Sequence, residues 1–172
     1  MKRIKTQVSG GCQCGAVRYH ASAMLDNAHL CHCRMCQKAV GNLFAALVAA
    51  PRDALVWTRG EPAVFHSSTH VARGFCRDCG TPLFFDYVEG ERVNLTIGSL
   101  DEPARFPPVG QVGIEARMPW LGGLAALPGD RTTEETAPDD AAAIRANNRQ
   151  HPDHDTENWP VGGRRKKPGT SR

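Results

Sequence analysis

Apolar and polar residues alternate in short stretches over most of the 172-residue chain and almost nowhere follow a helical period. The run Ala16-Val17-Arg18-Tyr19-His20-Ala21 has the period-two pattern of a half-buried strand. Further strands are expected at Asn42–Ala50, Ala54–Thr58, Ala63–His66, Thr81–Asp86 and Arg92–Ile97. Turn residues separate them: Gly60-Glu61-Pro62, Glu89-Gly90-Glu91 and Asp101-Glu102-Pro103. Strands recurring roughly every ten residues indicate an all-β domain. Before Leu127 only Arg34–Val40 reads as a short helix.

After Leu127 the composition turns polar and acidic. Residues 1–127 are expected to form the β domain, 128–163 a tail wrapped against it, and 164–172 a disordered basic end. Within the tail Ala141–Arg149 reads as a short helix behind acidic residues, which favour a helix N-terminus. Ile144 and Trp159 are the apolar side chains expected to anchor it, with His151 and His154 as polar turn residues. The last nine residues, RRKKPGTSR, have no apolar anchor and carry five like charges, so ordering them costs entropy with no burial to offset it.

Composition narrows the function classes. A net charge of +3 is too small to point to nucleic acid. The longest apolar run, Leu43 to Ala50, has strand length and cannot span a membrane. The N-terminal MKRIKTQVSGG has no apolar stretch behind its basic residues, so no secretory signal is expected. Unpaired, metal-type cysteines fit a cytoplasmic setting.

The chemistry lies in the cysteines. All seven fall in three clusters: Cys12-Gln13-Cys14, Cys31-His32-Cys33-Arg34-Met35-Cys36 and Cys76-Arg77-Asp78-Cys79. An odd count and C-x-C spacing argue against a disulfide framework, and close-set thiolates suit zinc. Gly80 suits the tight turn of a zinc knuckle. Seven divides into a closed set of four and an open set of three. One division takes Cys12, Cys14, Cys76 and Cys79 as the closed set and leaves Cys31, Cys33 and Cys36 on one loop. Spacing alone also allows Cys12 and Cys14 to join the middle cluster, or His32 to close it as a fourth ligand, although a histidine between two ligating cysteines usually points away from their ion. Arg34 and Lys38 are the nearby cations that can offset three thiolates.

Gly11-Cys12-Gln13-Cys14-Gly15, the C-H-C-x-x-C run and Phe75-Cys76-Arg77-Asp78-Cys79-Gly80-Thr81-Pro82-Leu83 resemble the glutathione-dependent formaldehyde-activating family, the CENP-V/GFA domain. Asn94 to Asp101 and Pro119-Trp120 look like that family's following strand, turn and closing segment. The resemblance implies an Mss4-like fold of small antiparallel sheets joined by zinc-binding knuckles. It implies a structural zinc on Cys12, Cys14, Cys76 and Cys79, and a catalytic, more labile zinc on Cys31, Cys33 and Cys36. It further implies a carbon–sulfur lyase acting on a thiol–aldehyde adduct such as S-hydroxymethylglutathione, with glutathione as co-substrate. Two other classes compete: a non-enzymatic zinc module that binds a partner, and a redox-sensitive zinc site on the middle cluster.

Overall fold

A computed structural model describes residues 1–130 and 133–158; Trp159 and the basic end lie outside the described residues. Twelve strands and three α-helices follow one another among these residues. They are β1 (Arg3–Ile4), β2 (Val8–Gly11), β3 (Arg18–Ala21), β4 (Met24–Leu25), β5 (His29–Cys31), α1 (Arg34–Val40), β6 (Ala45–Pro51) and β7 (Leu55–Arg59). Then come β8 (Ala63–His66), β9 (Val71–Phe75), β10 (Pro82–Tyr87), β11 (Arg92–Thr96), β12 (Gly110–Val112), α2 (Thr133–Thr136) and α3 (Pro138–Asn147). No helix among the described residues is long and apolar enough to cross a membrane.

The architecture is sheet-rich, but it is not built only of small antiparallel sheets. One sheet has seven strands in the order β12-β5-β6-β11-β10-β9-β8, beside a three-stranded sheet β2-β3-β7 and the pair β1-β4. The large sheet is mixed, because β12 runs parallel to β5. A parallel neighbour needs a long connection, and here the chain passes through the rest of the sheet before returning.

The main core lies around Val8, Tyr19, Met24, Val48, Leu83 and Leu95, all buried. Trp57 and Phe84 pack against it with ring centroids 5.9 Å apart. Tyr19 is fully buried and its hydroxyl meets Ser99 Oγ at 2.7 Å, so its polar atom is satisfied inside the core. A second, smaller cluster centres on Cys36, Ala45 and Leu47, with Cys31, Cys33, Val40 and Phe85 against it.

Among the described residues the tail docks by polar contacts, and Ile144 does not anchor it. Ile144 is 63% exposed, and of α3 only Ala141 is buried. Residues 151–156 form the attachment. The His151 amide donates to the Gln13 carbonyl at 2.7 Å. The buried Arg18 binds Asp101 in a fork at 2.7 and 2.6 Å and Asp155 at 3.1 and 2.7 Å. Arg59 reaches Thr156 Oγ1 at 3.1 Å and His151 Nε2 at 3.3 Å.

Burial first, and the charges of Arg18 and Arg59 against the opposing pull of Pro152 and Asp101, hold the His151 pKa below its ordinary value. Asp155 is also lowered: burial opposes this, but hydrogen bonds from Arg18 and Ser9 prevail. Both shifts favour the docked tail where the groups are deprotonated. The docking contribution is therefore fully present above about pH 6.5, the ordinary histidine value, and is lost as the pH falls through the lowered pKa of His151 and then of Asp155. Limited proteolysis of residues 151–156 is expected to be slow at neutral pH and faster at pH ~5. Equal protection at both would show that these two groups do not hold the tail.

Candidate metal centres

Two groups of sulfur atoms form, and they divide the seven cysteines four and three. The sulfurs of Cys12, Cys14, Cys76 and Cys79 lie within 4.8 Å of one another, as do those of Cys31, Cys33 and Cys36. The geometry excludes the pairing of Cys12 and Cys14 with the middle cluster. His32 does not join the three sulfurs. It is fully buried, its Nε2 meets Gln111 Oε1 at 2.9 Å, and its ring packs edge-on to Phe44. His151 sits at Gln13 and His154 is exposed, and neither belongs to either sulfur group.

The four-sulfur group joins two loops distant in sequence. Cys12 and Cys14 follow β2, while Cys76 and Cys79 turn from β9 into β10. Gly80 closes the second loop with φ +79°, a conformation open to glycine and strained for other residues. Backbone amides turn toward the sulfurs, as when Val17 N donates to Cys12 Sγ at 3.3 Å. Cys12 and Cys14 Sγ are 3.6 Å apart, and Cys14 and Cys76 Sγ 3.8 Å. A zinc–sulfur bond of about 2.3 Å sets a tetrahedral edge of about 3.8 Å, so the donor set and its spacing fit zinc.

The protons on these thiols are unevenly held. Burial raises Cys14, and raises Cys76 to about 11. Burial pushes Cys79 the same way, yet the Thr81 hydroxyl at 3.1 Å and the amides of Thr81 and Cys14 bring it down to about 6. One sulfur is thus held ready as thiolate while its neighbours donate to it.

The three-sulfur group sits where β5 turns into α1. Cys33 is the N-cap of α1, its sulfur accepting the Cys36 amide at 3.4 Å. Cys31 and Cys33 Sγ are 3.5 Å apart, again close to a zinc tetrahedron's edge. Cys36 is buried at 3% exposure, whereas Cys31 and Cys33 are partly open. Burial raises Cys31 to about 12; burial also acts on Cys33, but hydrogen bonds from Cys36 and Cys31 lower it.

The loop is braced from behind by residues that sequence reasoning missed. Gln37, 2% exposed, donates to the carbonyls of His32 at 2.7 Å and Ala116 at 2.9 Å. A Cβ on Gly113 would come within 2.7 Å of the Cys33 amide nitrogen, so only glycine lets that turn lie against the loop. Arg34 and Lys38 are exposed on α1. The cation at the sulfurs is instead Arg73, on β9, whose Nη1 and Nη2 each lie 3.7 Å from Cys36 Sγ. The readable signal was an arginine inside the otherwise apolar run Val71 to Phe75.

Comparison with known proteins places these features in a family. The sequence model of the glutathione-dependent formaldehyde-activating enzyme family matches residues 7–115, which span all seven cysteines. An uncharacterized lyase of Schizosaccharomyces pombe is 30% identical over 87 residues, 49% of this chain and 61% of that protein. A Phaeosphaeria nodorum protein, provisionally named a glutathione-dependent formaldehyde-activating enzyme, is 36% identical over 75 residues, 42% of this chain and 40% of its own length. The chain thus spans less than two thirds of either relative. A crystal structure of a Rhodobacter sphaeroides protein superposes with a TM-score of 0.51 at 24% identity, covering 60% of this chain and 99% of that one. That likeness concerns the fold.

Proposed function

The chain belongs to the glutathione-dependent formaldehyde-activating family, and we propose that it is a cytoplasmic zinc-dependent carbon–sulfur lyase acting on the adduct of a thiol and an aldehyde. The thiol we infer is glutathione, the aldehyde formaldehyde and the adduct S-hydroxymethylglutathione. In this reading Cys12, Cys14, Cys76 and Cys79 hold a structural zinc within a Mss4-like β domain of residues 1–127. Cys31, Cys33 and Cys36 hold a catalytic one. The observation that carries the reading is the second group: three converging sulfurs, two of them partly open, with no fourth protein ligand among the described residues.

In the forward direction the thiol sulfur bonds to the aldehyde carbon, the carbonyl π bond breaks onto oxygen, and the thiol proton ends on that oxygen. Breakdown of the adduct is the reverse, and neither direction needs an oxidant. When bound, zinc would accept a thiol at the open position and lower its pKa from about 8.5. The chain's own residues hold the loop for this task. Cys33 caps α1, Gln37 ties the loop to the turn at Ala116, and Cys36 is buried so that the site opens on the side of Cys31 and Cys33.

Metal analysis of protein purified without chelator should give two zinc ions per chain. Exchange NMR of glutathione and formaldehyde should then show adduct formation at least ~10-fold faster than without protein, a barrier lowered by about 1.4 kcal/mol or more. Two zinc ions with no acceleration would favour a partner-binding module. Exposed Val112 and Ile114, flanking the Gly113 turn that lies against Cys33, are the observation that keeps this second reading in view.

A further inference from the structure

Arg73 is 9% exposed and lies mid-sheet on β9, paired with Phe65 of β8 and Phe85 of β10. Four contacts hold its guanidinium. Nη1 and Nη2 both face Cys36 Sγ at 3.7 Å, Nε donates to Ser67 Oγ at 3.2 Å, and its carbon stands 5.0 Å from the Phe85 ring centroid. The Phe85 ring is in turn braced edge-on by Tyr87 at 5.0 Å.

A buried guanidinium costs several kcal/mol unless a counter-charge meets it. Asp86, across from its neighbour Ala72, is already bound by Arg52 at 2.7 Å. Among the described residues Arg73 takes part in no ion pair with a carboxylate. What its fork meets is the sulfur of Cys36. Three thiolates around a divalent cation sum to −1, and one arginine brings the site to zero. The other two sulfurs accept backbone amides, Cys33 from Cys36 and Cys31 from Cys33. Cys36 is the one whose donor is a charged side chain, and such charge-assisted bonds are about twice as strong as neutral ones.

We propose that Arg73 is the charge-offsetting, positioning residue of the three-cysteine site. Its guanidinium holds the Cys36 sulfur in ligating geometry and offsets the charge of an anionic fourth ligand. The second of these rests on the function proposed above: with a glutathione thiolate bound the four sulfurs and the ion sum to −2, which Arg73 reduces to −1.

Arg73→Gln and Arg73→Lys in the full chain test this without turnover. In the Gln variant the three-cysteine site should bind zinc about 10–100-fold more weakly, the usual effect of losing an outer partner of a metal ligand, while the four-cysteine site keeps its ion. In the zinc-loaded chain, where a more weakly held ion leaves the sulfur free more often, iodoacetamide should modify Cys36 faster, located by peptide mass. Arg73→Lys should recover most of the affinity, since it retains the charge. Wild-type affinity and labelling in the Gln variant, or a Lys variant as impaired as Gln, would overturn the proposal. The unaltered chain provides a check that no folding defect can confuse. Loaded with cadmium-113, it should show NMR coupling from the ion through Cys36 sulfur to the Arg73 guanidinium protons, and absence of coupling overturns the assignment. A wild-type chain that binds two ions but does not turn over would sink the proposed function and leave these measurements standing.

Discussion

The Cys76→Ser chain is expected to be molten or insoluble and to lack the zinc of the four-cysteine site. Cys76 is 1% exposed and belongs to the main core cluster together with Cys12, with Cys14 and Cys79 packed against it. A structural zinc contributes on the order of 10 kcal/mol to small domains. The net stability of a domain is only about 5–15 kcal/mol. Serine there weakens the ion and leaves a buried hydroxyl, at a further cost of about 1–3 kcal/mol if unpartnered. Cys14→Ser should behave in the same way. Near-UV circular dichroism, thermal melting and zinc content check this together. A variant with wild-type melting and full zinc would show that the four-sulfur group does not hold the fold.

Cys33→Ser should give the opposite outcome: a folded chain with one zinc fewer and almost no turnover. The three sulfurs belong to the smaller cluster around Ala45 and Leu47, outside the main core. Cys33 is the N-cap of α1, a position where serine is among the preferred residues, so the helix keeps its start. Loss of a direct ligand should lower turnover by more than the roughly 10–100-fold seen for outer partners. Melting within a few degrees of wild type, one zinc equivalent lost and no acceleration of adduct formation is the expected set. If Cys33→Ser unfolds as Cys76→Ser does, the division of labour between the two groups is wrong.

Much of the fold was legible because period-two patterning and turn residues are local. Ala63–His66 and Arg34–Val40 stand at the expected bounds, and five other strands lie within a few residues of theirs. The strands that escaped notice, β1, β2, β4, β5, β9 and β12, are short, rich in glycine or interrupted by cysteine and arginine. Their status comes from pairing partners, and so does the parallel seam between β12 and β5 that makes the large sheet mixed. The tail shows the same limit. Ile144 looked like an anchor by hydropathy, yet residues 151–156 dock through Arg18, Arg59 and the Gln13 carbonyl.

By itself the sequence determined the donor chemistry: seven thiols, their three spacings and the glycine that turns one knuckle. Ligand type and local loop geometry are properties of a few adjacent residues. Which cysteine clusters come together, and which cation faces their sulfurs, were decided only by the tertiary structure. Cys12 and Cys76 meet because separate sheets bring two distant loops to one core. Arg73, 37 residues from Cys36, faces it because β9 lies in the sheet that backs the loop. Coulomb energy depends on distance and burial rather than on separation along the chain, so no spacing rule could have chosen Arg73 over Arg34 or Lys38.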